Sequence, residues 1–182
     1  LGTALAALAL ASAPARAADA IEIRVADADW GEADPARIMV VLEDTARELQ
    51  RLFPGDAPLR VLVSPTSRVP MVLFERTPRG EHHVLLRARG TNWAHYAYEF
   101  AHELGHILTN HGRHARDPYA ARHQWFDEAV CEMLSVYALR RLAARVRSVT
   151  EPLGDVPGYV QMFSLSGLKK LAVKPHSQTK QR

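Results

Sequence analysis

Residues 102–106 of this chain read His-Glu-Leu-Gly-His, inside a segment whose apolar residues recur at helical spacing. Trp93, Ala97, Phe100, Leu104 and Ile107 fall on one stripe of a helix over 93–108, while His95, Glu99, His102 and His106 line an adjoining polar edge. Histidines four apart project from one helical face, so their imidazoles can share one metal ion. Glu103 lies between them, where a carboxylate can take a proton from a water on that ion. The fold must therefore bury one side of this helix and leave the histidine edge open. Thr91 and Asn92 are the expected N-cap residues, and Gly112 follows near the other end.

A catalytic zinc ordinarily takes three protein ligands and a water, so a third ligand is required. The extension H-E-x-x-H-x-x-G-x-x-H would need glycine at Thr109 and histidine at Gly112; the chain has neither, and His111 is out of register. Downstream, residues 124–132 read Gln-Trp-Phe-Asp-Glu-Ala-Val-Cys-Glu, the start of a second helix. Phe126, Ala129, Val130, Met133 and Tyr137 form its expected apolar stripe, with Glu128, Glu132 and Ser135 on another face.

At these residues the chain resembles the gluzincin group of zinc metallopeptidases, over roughly residues 80 to 142. His102, Glu103 and His106 match the first helix of that group. Residues 125–129 look like its Trp-x-x-Glu-Gly/Ala element, with alanine at 129 where many members have glycine. Glu128 and Glu132 match its Glu-x-x-x-Asp/Glu pairing. The resemblance implies a Zn2+ cofactor on His102, His106 and Glu128, with Glu132 accepting a hydrogen bond from a ligating imidazole. It further implies that Glu103 is the general base in hydrolysis of a peptide or protein substrate. An oxyanion stabiliser is expected as well; Tyr159 is the first candidate, His123 the second, and Tyr119 is also considered. Two alternatives stand beside this reading: a catalytically silent zinc-binding module of an envelope assembly, and a zinc hydrolase of a non-peptide amide. Glu103 argues against the silent module, because a structural site needs no base and is usually closed by four protein ligands.

Upstream, residues 21–25 alternate like a short strand, and 35–52 read as a helix starting near Asp34 and stopping before Pro54-Gly55. Further strands are expected over 59–63, 69–74 and 82–87, the last ended by Gly90; His82 and His83 take strand positions there. The fold class is α+β, with a small twisted mixed sheet packed on the active-site helix and a second helix behind it. The resemblance makes this zincin-like, and implies that the strand just before the active-site helix is the sheet edge lining a cleft.

With 182 residues, 47% hydrophobic, the chain suffices for one core, expected over 18–163. Residues 1–17 form an Ala/Leu-rich run ending in an A-x-A pattern, which reads as a secretory signal peptide and predicts a secreted or periplasmic protein without a membrane span once cleaved. Residues 164–182 read as a flexible or truncated tail. Cys131, the one cysteine, sits among apolar neighbours and reads as a buried small hydrophobe. A net charge of +3 and the absence of any nucleic-acid motif exclude a nucleic-acid partner from the expectation. Arg140, Arg141, Arg145 and Arg147 read as a solvated helix end. His111, His114 and His123 fall in a polar connection between the two helices, from which they could reach the metal cleft, but they read as solvated loop histidines and not as ligands.

Overall fold

A computed structural model describes residues 21–53, 58–109 and 124–150, with side chains as far as 145. The expected signal peptide, the tail, and Tyr119, His123 and Tyr159 lie outside these residues.

The chain is α+β, ordered β1 (Ile21–Val25), α1 (Pro35–Gln50), β2 (Leu59–Pro65), β3 (Met71–Val72), β4 (His82–Leu86), α2 (Trp93–Leu108) and α3 (Gln124–Thr150). The four strands make one mixed sheet in the order β1-β2-β4-β3. β1, β2 and β4 run parallel, with Val25 opposite Val63 and Val63 opposite Val84. β3 pairs antiparallel to β4, with Val72 opposite Val84. Alternation along the strands sets Val61, Val63, Val72, Val84 and Leu86 into the core, where the helices cover them. Burying each such side chain contributes about 1.5–3 kcal/mol relative to exposure.

α1 begins as expected: Asp34 is its N-cap and accepts from the Ala36 N–H, and Pro35 takes the first turn, where a missing N–H costs nothing. Ile38, Val41, Leu42 and Leu49 are its buried stripe. α2 occupies the centre, touching α1, α3, β3 and β4. Its expected stripe of Trp93, Ala97, Phe100, Leu104 and Ile107 is buried throughout. Asn92 is the N-cap position but makes no side-chain cap bond; its amide donates instead to the Arg89 carbonyl. The turn before it needs a left-handed residue, supplied by Gly90 at φ 57°, whose N–H donates to the Trp30 carbonyl.

Expectations fail at the sheet edge, along α3 and in its basic stretch. β4 is not the sheet edge: β3 covers it, and the third strand shrinks from 69–74 to Met71–Val72. On α3 the expected apolar stripe is buried only in part: Phe126, Ala129 and Met133 are exposed, while Val130 and Tyr137 are half-buried against the core. The core side is Cys131, Leu134, Ser135, Ala138, Leu139, Leu142 and Ala143, at spacings of three and four. Ser135 shares the helical side of Glu128 and Glu132 but is buried where they are exposed, and it donates to the Cys131 carbonyl. α3 has apolar residues on more than one side, so small residues against α2 decide which side is buried.

The basic stretch of α3 is not simply solvated. The Arg141 guanidinium donates to Glu48, a buried carboxylate on α1 that Arg51 also holds, and Arg145 pairs with Asp44. These contacts fix α3 across α1 and so help set where the start of α3 meets α2. Among the described residues, no helix is long and apolar enough to cross a membrane.

Candidate metal centre

His102 and His106 leave α2 one turn apart on its open edge, with ring centroids 5.0 Å apart. Both direct Nε2 toward Glu128 on α3: His102 Nε2 is 3.1 Å from Glu128 Oε2, and His106 Nε2 is 3.8 Å from Oε1. One ligand atom from each of the three residues lies within 4.8 Å of the other two, so the group can hold a metal ion. Tetrahedral coordination at about 2.0–2.1 Å sets ligand atoms roughly 3.3 Å apart. The His–Glu128 separations of 3.1 and 3.8 Å bracket that spacing. Two neutral imidazole nitrogens and one carboxylate also match the ligand chemistry of a catalytic zinc, with a coordination position left for water.

Gly105 explains why α3 can come so close. A Cβ there would meet Cys131 Sγ and Leu134 Cδ1 at 3.1 Å and Cys131 Cα at 3.4 Å. Glycine in the middle of the H-E-x-x-H run therefore lets the two helices touch one turn from Glu128. Cys131 is fully buried at this contact, and burial, with Glu128, Glu103 and Asp127 adding to it, pushes its thiol up to about 12. It is a packing residue, as expected, and belongs to no metal-ligating group among the described residues.

Glu103 is 5% exposed. Burial first, and then the negative charges of Glu128 and Glu99, push its carboxyl up to about 8 against the opposing hydrogen bond from the Val72 backbone. That bond follows from strand pairing. The Leu73 N–H donates to the His83 carbonyl, so the intervening Val72 backbone groups turn away from β4 toward the free edge. β3 thus supplies the sheet edge beside Glu103 that was expected of β4.

Glu132 sits one turn after Glu128 and faces the other nitrogen of His102, with Oε2 3.7 Å from Nδ1. At that distance it is an electrostatic neighbour rather than a hydrogen-bond acceptor. Its close partner is Tyr98, whose hydroxyl donates to the carboxylate at 2.5 Å. Tyr98 escapes sequence reasoning because an aromatic on an apolar helix reads as core. Its position four before His102 was the available signal.

Glu99 belongs to the scaffold and not to the metal group. It is buried, accepts the Arg87 and Ala88 N–H groups at 2.8 and 2.9 Å, and pairs with His95 at 3.0 Å. This ties the end of β4 to α2 and so fixes the helix that carries both histidines. His82 and His83 lie on β4 as expected, and His83 Nε2 is 2.9 Å from Ser64 Oγ on β2. Comparison with protein-family models, with curated proteins and with solved structures finds no match.

Proposed function

We propose that this protein is a zinc-dependent hydrolase of peptide bonds, with a zincin-like fold and a gluzincin-like ligand set of His102, His106 and Glu128. The observation that carries the reading is the convergence of two imidazole Nε2 atoms and a carboxylate beside a buried carboxyl that is not among the ligands. A structural zinc site has no use for that fourth group. The zinc, when bound, supplies Lewis acidity, which lowers the pKa of water and polarises a carbonyl.

The remaining chemistry belongs to the chain's own residues. Glu103, gripped by the Val72 N–H, is held beside the ligand group and takes the proton of the attacking water. It then returns a proton to the amine nitrogen as the C–N bond breaks. Without a cation its raised pKa keeps Glu103 largely protonated at neutral pH; a cation among the ligands would offset Glu128 and lower that value toward the ionised form that can act as a base. On the free side of β3 the Val72 N–H is taken by Glu103, which leaves the Val72 carbonyl to accept from an extended peptide.

The test is Glu103→Gln, which is nearly isosteric but cannot take the proton. Zinc content should be unchanged while hydrolysis of a cleaved peptide falls at least ~100-fold. Equal turnover in the variant removes Glu103 from the mechanism. A wild-type protein that binds zinc and cleaves nothing in a broad peptide library supports the silent module instead.

A further inference from the structure

Resting on the zinc reading, we infer that Tyr98 is a positioning residue of the metal site, acting through Glu132 on the imidazole of His102. Tyr98 and His102 are one turn apart on α2, and Glu128 and Glu132 are one turn apart on α3. The two helices therefore meet in two tiers. One tier joins His102 Nε2 to Glu128, and the other joins Tyr98 Oη to Glu132.

His102 has one nitrogen toward each tier. With Nε2 directed at Glu128, Nδ1 must carry the proton if Nε2 is to be a ligand, and Glu132 is the carboxylate that faces it. Glu132 alone could not hold that orientation, because its side chain is 54% exposed and free to turn into water. The Tyr98 hydroxyl, with one proton to donate, lies 2.5 Å from both carboxylate oxygens and restrains that freedom. Tyr98 itself is anchored, since its ring is partly buried against the hydrophobic core. A rigid aromatic thus fixes a mobile carboxylate, whose negative charge 3.7 Å from Nδ1 favours the proton on that nitrogen and leaves Nε2 for the metal.

The experiment uses the full chain loaded with one equivalent of zinc, as wild type, Tyr98→Phe, Glu132→Ala and the double variant. Zinc release to a chromophoric chelator is timed, and metal-free melting curves establish that each protein is folded. Glu132→Ala should weaken zinc retention roughly 10- to 100-fold. Tyr98→Phe should speed release by about 3- to 10-fold, and the double variant should release no faster than Glu132→Ala alone, because Tyr98 has nothing to act through once Glu132 is gone. In NMR spectra of the zinc-loaded protein, the His102 Nδ1–H should exchange with water faster in Tyr98→Phe than in wild type. A merely structural tie between helices would leave that exchange unchanged. Glu132→Asp, one methylene shorter, probes the same contact without touching Tyr98 and should also speed release. Wild-type release from Tyr98→Phe, or additive effects in the double variant, overturns the assignment of Tyr98. A wild-type chain that takes up no zinc overturns the zinc reading itself.

Discussion

Replacing Gly105 with alanine tests whether the proposed metal ligands depend on the close contact between α2 and α3. Two opposing effects set the magnitude. Alanine gains about 1 kcal/mol over glycine in a helix interior. Its methyl, however, would stand 3.1 Å from Cys131 Sγ and Leu134 Cδ1, where carbon contacts prefer about 3.5–4.0 Å. Leu134 and Cys131 are buried, so neither side chain has open space to enter, and Cys131 Cα at 3.4 Å is backbone. Overpacking of this kind costs about 1–3 kcal/mol, which exceeds the propensity gain for most of that range. The net expectation is destabilisation by about 1 kcal/mol, or a melting temperature lower by roughly 2–4 °C for a chain of this size. The relief is outward movement of α3 one turn from Glu128, so zinc affinity should fall by about tenfold, a larger effect than stability alone conveys. Melting followed by circular dichroism and competition with a chelator measure the two. Cys131→Ala in the same chain removes the Sγ contact and should restore part of both losses. A Gly105→Ala protein that is more stable than wild type and binds zinc equally well refutes the close-contact argument.

Glu99→Ala leaves the Arg87 and Ala88 N–H groups without their acceptor and should cost about 2–4 kcal/mol, whereas Glu99→Gln, which keeps an acceptor oxygen, should cost clearly less; equal losses in thermal melts would show that the two bonds are unimportant. On the far side of the sheet, the Arg24 guanidinium holds the Glu81 carboxyl down to about 2 from its ordinary 4.5. A depressed folded-state pKa contributes stability that is fully present above about pH 4.5 and lost as pH falls through about 2. Glu81→Gln should therefore lower the melting temperature at neutral pH and converge on wild type near pH 2; parallel melting curves across that window would show that the pair does not govern acid stability.

The parts legible in the sequence are those set by local rules. The His102 and His106 pairing follows from helical period alone, and Asp34 before Pro35 fixes the start of α1. Three features depended on tertiary competition instead. Phe126, Ala129 and Met133 have helical spacing, but so do Cys131, Leu134 and Ala138, and only packing against Gly105 decides between the two sets. β4 lost its edge to β3: a strand is expected over 69–74, but no local pattern says that it pairs outside β4 or forms only at Met71–Val72. Arg141 with Glu48 and Tyr98 with Glu132 join residues 93 and 34 positions apart, beyond any local pattern.

X-ray absorption at the zinc edge, on the full chain loaded with one equivalent, tests the central claim most directly. The arrangement of His102, His106 and Glu128 predicts a first shell of nitrogen and oxygen alone at about 2.0–2.1 Å, with outer-shell scattering from two imidazoles that disappears in His102→Ala/His106→Ala. A sulfur shell at about 2.3 Å, or a spectrum unchanged by the loss of both histidines, would contradict it.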